Sequence, residues 1–139
     1  MDKAVQILLV EDDPLDVIEF KRTIDKMQFD YNLDIAGNGE EAIEILKKKQ
    51  AKKKPLPDVL LIDINMPRMN GIELLSVIRS NEEWKKLKCF ILTTSADKMD
   101  RQIALKFGIS GYIVKPIRIT NPTSIDSFNL MIDLINVRS

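Results

Sequence analysis

Short apolar runs alternate with longer stretches of helical period along the chain. The runs fall at residues 5–10, 32–36, 58–62, 89–93 and 111–114. Several carry no polar alternation, as expected of strands whose two faces are both covered by helices. The segments between them carry helix signals. Asp13 reads as an N-cap with Pro14 at the first helical position, ahead of a stripe of Val17, Phe20, Ile24 and Met27. Asn38 followed by Glu41 three residues on has the form of a capping box. A third helix starts at Asn70 and Gly71 and turns Leu74, Leu75 and Ile78 inward. A fourth covers about 97–107 and stops at Gly108, a C-terminal cap. A fifth follows Pro122 and carries Ile125, Phe128, Met131, Ile132 and Ile135. Five strand–helix units predict an α/β fold, a doubly wound (βα)5 around a five-stranded parallel sheet of order 2-1-3-4-5.

Composition narrows the class. The chain of 139 residues is expected to form one domain, 1–139, with no second domain or linker and no output domain. Lys plus Arg and Asp plus Glu number 21 each, so no overall field draws the chain to nucleic acid or anionic lipid. The apolar runs are too short to cross a bilayer, and no secretory signal precedes them. One cysteine, Cys89, cannot form an internal bridge. A cytoplasmic location is expected, with no nucleic acid or membrane partner. The chain has no histidine, which excludes a Ser-His-Asp triad, His-ligated zinc and phosphohistidine on this chain.

The candidate chemistry lies where the strands end. In open α/β sheets, ligands bind beyond the carboxyl ends of the strands, at the point where strand order reverses. In the expected order that point lies between the first and third strands. The first ends in Glu11-Asp12-Asp13 and the third in Asp63. The fourth ends in Thr93-Thr94-Ser95, and the fifth in Lys115-Pro116. Crowded acids repel one another, so a carboxyl pKa rises or a cation enters. Mg²⁺ suits oxygen ligands of this kind. Three carboxylates are balanced by Lys115 and one divalent ion, so charge developing on a transferred phosphoryl group is already compensated. Asp63 is then the nucleophile, Lys115 the partner of one phosphoryl oxygen, and Thr93 the donor to another.

Four segments in order carry a family resemblance: Ile-Leu-Leu-Val-Glu-Asp-Asp-Pro at 7–14, Leu-Leu-Ile-Asp-Ile-Asn-Met-Pro-Arg-Met-Asn-Gly at 60–71, Ile-Leu-Thr-Thr-Ser-Ala at 91–96 and Gly-Tyr-Ile-Val-Lys-Pro at 111–116. Over essentially its whole length the chain resembles the receiver domain of two-component response regulators, which implies a flavodoxin-like fold. The resemblance implies that Asp63 accepts a phosphoryl group from a sensor histidine kinase or phosphotransfer protein. It implies Mg²⁺ held by Glu11, Asp12, Asp63 and the backbone carbonyl of Asn65. Thr93 matches the switch hydroxyl, Tyr112 the switch aromatic and Lys115 the lysine of the family, whose Lys115-Pro116 peptide is commonly cis. Asn65 and Ser95 match positions that tune hydrolysis of the acyl phosphate. The narrower likeness is to small single-domain receivers of phytochrome-type histidine kinases, through 56–58, 81–84 and 92–95.

Other features have plainer readings beside functional ones. Asp13 reads as a cap rather than a ligand. Thr94 and Ser95 also read simply as a lead into the fourth helix, and Tyr112 also fits an ordinary strand aromatic. The lysine-rich stretch 47–54 reads as a solvated helix end complementing the helix dipole. Trp84 is expected over the end of the third helix. The fifth helix carries a second apolar set, Leu130, Leu134 and Val137, which points to a homodimer or partner through the face of the fourth helix, fifth strand and fifth helix. Two other function classes stay in view: a Mg²⁺-dependent phosphatase with an aspartyl nucleophile, and an unphosphorylated interaction scaffold. The phosphatase class uses a second Asp two residues after the nucleophile, where this chain has Asn65.

Overall fold

Strand and helix alternate as the apolar pattern requires. The computed structural model describes residues 4–27, 30–64, 66, 68–93, 98–115 and 129–130, with backbone alone at 98–101. In chain order the elements are β1 (Val5–Val10), α1 (Pro14–Lys26), β2 (Tyr31–Ala36), α2 (Gly39–Ala51), β3 (Val59–Asp63), α3 (Gly71–Ser80), β4 (Cys89–Thr93), α4 (Lys98–Lys106) and β5 (Gly111–Val114). The sheet is parallel throughout, in the order β2-β1-β3-β4-β5. Strand limits lie within one residue of the expected ones. The expected fifth helix falls outside the described residues except for 129–130, which are helical.

The strands alternate faces with period two, although both faces are apolar. Leu8, Val10, Leu60, Ile62, Cys89 and Ile91 face one way. They pack with Ala42 and Leu46 of α2, Leu74, Leu75 and Ile78 of α3, and Ala104 of α4. Ile7, Leu9, Val59, Leu61, Phe90, Leu92 and Ile113 face the other way, against Phe20 and Ile24 of α1. Trp84 is 2% exposed and belongs to the first of these cores, so it is unavailable as a surface anchor. β2 is one of the two edge strands: only its Ala36 is buried, and Asp34 pairs with Lys49 at 2.9 Å.

The helix starts are fixed by side-chain caps. Asp13 Oδ1 accepts from the Leu15 N–H at 2.8 Å, with Pro14 opening α1. At α2, Asn38 Oδ1 accepts from Glu41 N–H at 3.0 Å. Glu41 reaches back to the Gly37 N–H at 3.2 Å, one residue short of a reciprocal box. The reciprocal box instead forms at α3, between Asn70 and Glu73. The lysine-rich end of α2 is solvent-facing apart from half-buried Lys49 and Gln50, and Lys53 turns the chain with φ 56°.

Two contacts tie helices to the rest of the frame. A methyl group on Gly71 would lie 2.5 Å from the carbonyl oxygen of Asp63, so glycine lets α3 begin directly on the strand end. Arg79, in the last turn of α3, donates to the carbonyls of Phe107 at 2.6 Å, Leu87 at 2.8 Å, Lys85 at 2.9 Å and Gly108 at 3.3 Å. Those carbonyls close the C-terminal end of α4 and the turn before β4. One guanidinium therefore fixes three segments.

Candidate functional site

Four strand ends converge on one lysine. β1 runs directly into Glu11 and Asp12, and the Glu11 N–H is held by Ala36 O at 2.9 Å. β3 closes on Asp63, which registers with Leu92 of β4. β5 leads into Lys115, whose N–H donates to Thr93 O at 2.7 Å. The ammonium Nζ lies 2.7 Å from Glu11 Oε1, 3.0 Å from Asp16 Oδ2 and 3.1 Å from Asp63 Oδ2. Glu11 and Asp63 are 3% and 5% exposed, while Asp12 reaches solvent.

Burial is the main force on Glu11. Loss of water pushes its carboxyl up to about 8; Lys115 opposes this, and the hydrogen bond and charge of Asp63 add to it. Burial by itself would lower the Lys115 ammonium. Its bond to Glu11, the charges of Asp63 and Glu11 and the bond to Asp16 outweigh that and hold it above the ordinary lysine value. A second contact steadies Glu11: its Oε2 accepts from the Asp13 N–H at 3.2 Å.

Glu11, Asp12 and Asp63 each offer a carboxylate oxygen, all within 4.8 Å of one another. Three hard oxygen donors at that spacing fit a small divalent cation. A cation there also offsets the burial and the neighbouring Asp63 charge that raise Glu11.

The remaining expected residues fall in different places. Thr93 is 2% exposed at the end of β4, beside the acids. Tyr112 is 38% exposed on β5. Asn65, Ser95 and Pro116 lie outside the described residues. The expected acids, hydroxyl and lysine thus share one sheet edge, with Asp13 turned to its cap. Asp16 was not anticipated. An acid in the first turn of a helix ordinarily reads as a partner for the helix dipole, and only the fold brings it to Lys115.

A family model described as the response regulator receiver domain matches residues 7–124. The chain belongs to this family. It is 34% identical over 112 residues to the chemotaxis protein CheY homolog of Campylobacter jejuni, spanning 81% of this chain and 82% of that relative. The Mn(2+)-bound form of response regulator Rcp1 superposes with a TM-score of 0.74 at 26% identity, over 87% of this chain and 88% of the other. The phosphorylated cyanobacterial phytochrome response regulator RcpA superposes with a TM-score of 0.73 at 25% identity, over 81% of each.

The protein is thus a two-component receiver domain, a phosphoacceptor signalling module rather than a catalytic enzyme, with an acidic pocket of Glu11, Asp12 and Asp63 beside Lys115. Receiver domains use a divalent cation and interact with histidine kinases. Among the described residues, no helix is long and apolar enough to cross a membrane.

Proposed function

We propose that Asp63 is the phosphoacceptor of this receiver domain and that Lys115, Thr93 and Tyr112 read its state. The observation that carries this is the lysine Nζ at 3.1 Å from Asp63 Oδ2, inside a trio of acids able to hold a cation. An Asp63 carboxylate oxygen attacks the phosphorus of a phosphohistidine on a sensor kinase or phosphotransfer protein. The P–N bond breaks, its electron pair stays on the imidazole, which takes up a proton, and an acyl phosphate remains on Asp63. Mg²⁺, held by Glu11, Asp12, Asp63 and the Asn65 carbonyl, would neutralise charge on the phosphoryl oxygens. Lys115 exchanges its Asp63 contact for a phosphoryl oxygen, and the Thr93 hydroxyl donates to another. Asn65 and Ser95 tune hydrolysis.

Tyr112 follows Thr93 between an exposed and a buried rotamer, a two-state element next to α4. Exposed Ile103, Leu105, Tyr112 and Leu130 support the surface around α4 and β5 as the one that changes partners, including a second copy of the chain. Likeness to RcpA supports a phytochrome-type kinase as the donor.

Incubation with acetyl phosphate and Mg²⁺, read by intact mass, tests the assignment. Wild type gains one phosphoryl group only when metal is present, and Asp63→Asn gains none. Equal labelling of both proteins would remove Asp63 from the role.

A further inference from the structure

Lys115 has three N–H bonds to give, and three carboxylates from three parts of the chain stand around it. Two of these, Glu11 and Asp63, belong to the acid trio suited to a cation. The third, Asp16, comes from the first turn of α1 and lies outside that trio. Its side chain is 32% exposed, against 14% for Lys115. The pair borders a small cleft that Glu11, Leu9, Phe20 and Leu92 also line. Apolar neighbours offer the ammonium no hydrogen bond, so the carboxylates must satisfy it.

We propose that Asp16 is a positioning residue for phosphoryl transfer, holding one N–H of Lys115 and thereby setting how much of its charge reaches the phosphoryl group. The proposal rests on the reading of Asp63 as phosphoacceptor. With Asp16 ionised, the pocket holds four carboxylates against one ammonium and one divalent cation, and carries a net negative charge before an anionic donor arrives. Asp16 Oδ2 and Asp63 Oδ2 share Lys115 Nζ, which puts them within about 6 Å of each other. A unit charge at that range, partly screened by water, alters the affinity for an anion by roughly three- to tenfold. Asp16 therefore works against loading by a small anionic donor while keeping the lysine beside the acceptor.

The test compares wild type, Asp16→Asn and Asp16→Glu for phosphorylation by acetyl phosphate with Mg²⁺, at low and high ionic strength. The expected result is a half-saturating acetyl phosphate concentration lowered roughly three- to tenfold in Asp16→Asn, with the maximal rate changed less than about twofold. That shift shrinks at high salt, and Asp16→Glu restores the wild-type value. Acetyl phosphate is titrated at saturating Mg²⁺, because removal of the same negative charge weakens Mg²⁺ binding, measured by calorimetry, by a comparable factor or more. A merely structural role for Asp16 would not give a salt-dependent change confined to half-saturation. If wild type is labelled on Asp63 and Asp16→Asn half-saturates at the same concentration, the positioning role is overturned and the phosphoacceptor stands. If wild type takes up no phosphoryl group, the phosphoacceptor reading fails and takes this proposal with it.

Discussion

Adding a single methyl group at Gly71 should disturb the site without touching any side chain in it. The new Cβ would lie 2.5 Å from Asp63 O, 2.9 Å from Ile64 Cα and 3.1 Å from Asp63 C. All three are backbone atoms, so no flexible side chain can yield. The start of α3 is held by the Asn70–Glu73 box, by Gly71 N–H to Ile64 O at 3.1 Å, and by fully buried Leu74, Leu75 and Ile78. The end of β3 is held between β1 and β4. Neither side moves cheaply, and overpacking of this kind costs about 1–3 kcal/mol. Whatever gives, the Asp63 backbone shifts relative to Lys115, and a displacement of about 1 Å at a reacting group costs on the order of 100-fold in rate.

The assay pairs urea unfolding with the rate of phosphorylation by acetyl phosphate. Gly71→Ala should lose about 1–3 kcal/mol of stability and at least roughly tenfold in labelling rate. Gly108→Ala separates stability from site geometry. Gly108 has φ +71° and open space around its missing Cβ, so alanine there is strained by about 1 kcal/mol yet leaves the pocket alone. Labelling by Gly108→Ala at the wild-type rate, beside impaired Gly71→Ala, would confirm the reasoning. A Gly71→Ala protein as stable and as readily labelled as wild type would refute it.

Three more expectations follow from particular contacts. Burial raises the Glu11 carboxyl from 4.5 to about 8, so its contribution to stability is complete below pH 4.5 and is lost as pH rises through 8. Without metal, urea unfolding should show wild type losing up to about 1 kcal/mol per pH unit relative to Glu11→Gln between pH 5 and 8; parallel curves would contradict this. Arg79→Met leaves four carbonyls without their donor and should cost about 2–4 kcal/mol, with amide exchange around residues 104–108 accelerating before that of β1. Burial pushes the Cys89 thiol up to about 11, so iodoacetamide labelling at pH 8 should be slow and should track unfolding by denaturant; rapid labelling of the native protein would place the thiol at the surface.

What was legible in the sequence was what local chemistry determines. All-apolar runs gave the central strands, and Asp13-Pro14 gave the start of α1, because a cap and a fixed φ act within one turn. The capping boxes show where local rules weaken. Asn38–Glu41 has the same form as Asn70–Glu73, yet only the latter closes reciprocally, because Glu41 is drawn to the Gly37 N–H. The two faces of the sheet could not be told apart from apolarity alone, since neighbouring residues such as Leu60 and Leu61 are equally hydrophobic and enter different cores. Asp63 and Lys115 were recognisable as strand-end residues. Asp16 and Arg79 read as ordinary charges at opposite helix ends. Their partners, Lys115 and the carbonyls at 85, 87, 107 and 108, are distant in sequence or lie on other segments, and only the completed fold brings them into range.

The site joins a stiff side to a compliant one. β3 and β4 are buried at every position and β1 at all but one, and β1 and β3 carry all three metal-suited acids on or just beyond their ends. β5 has four residues, of which only Ile113 is buried, and it presents Tyr112 to solvent. A charge change at Asp63 therefore finds little give toward β1, where movement would break packed layers on both faces. Toward β5 the cost is smaller. Lys115 is joined to β4 by its backbone bond to Thr93 O, so a lysine drawn to a phosphoryl group, as proposed above, would pull on the junction that also carries the Thr93 hydroxyl. On the proposed phosphorylation of Asp63, local stability, more than the position of any one side chain, would then send the change out through β5.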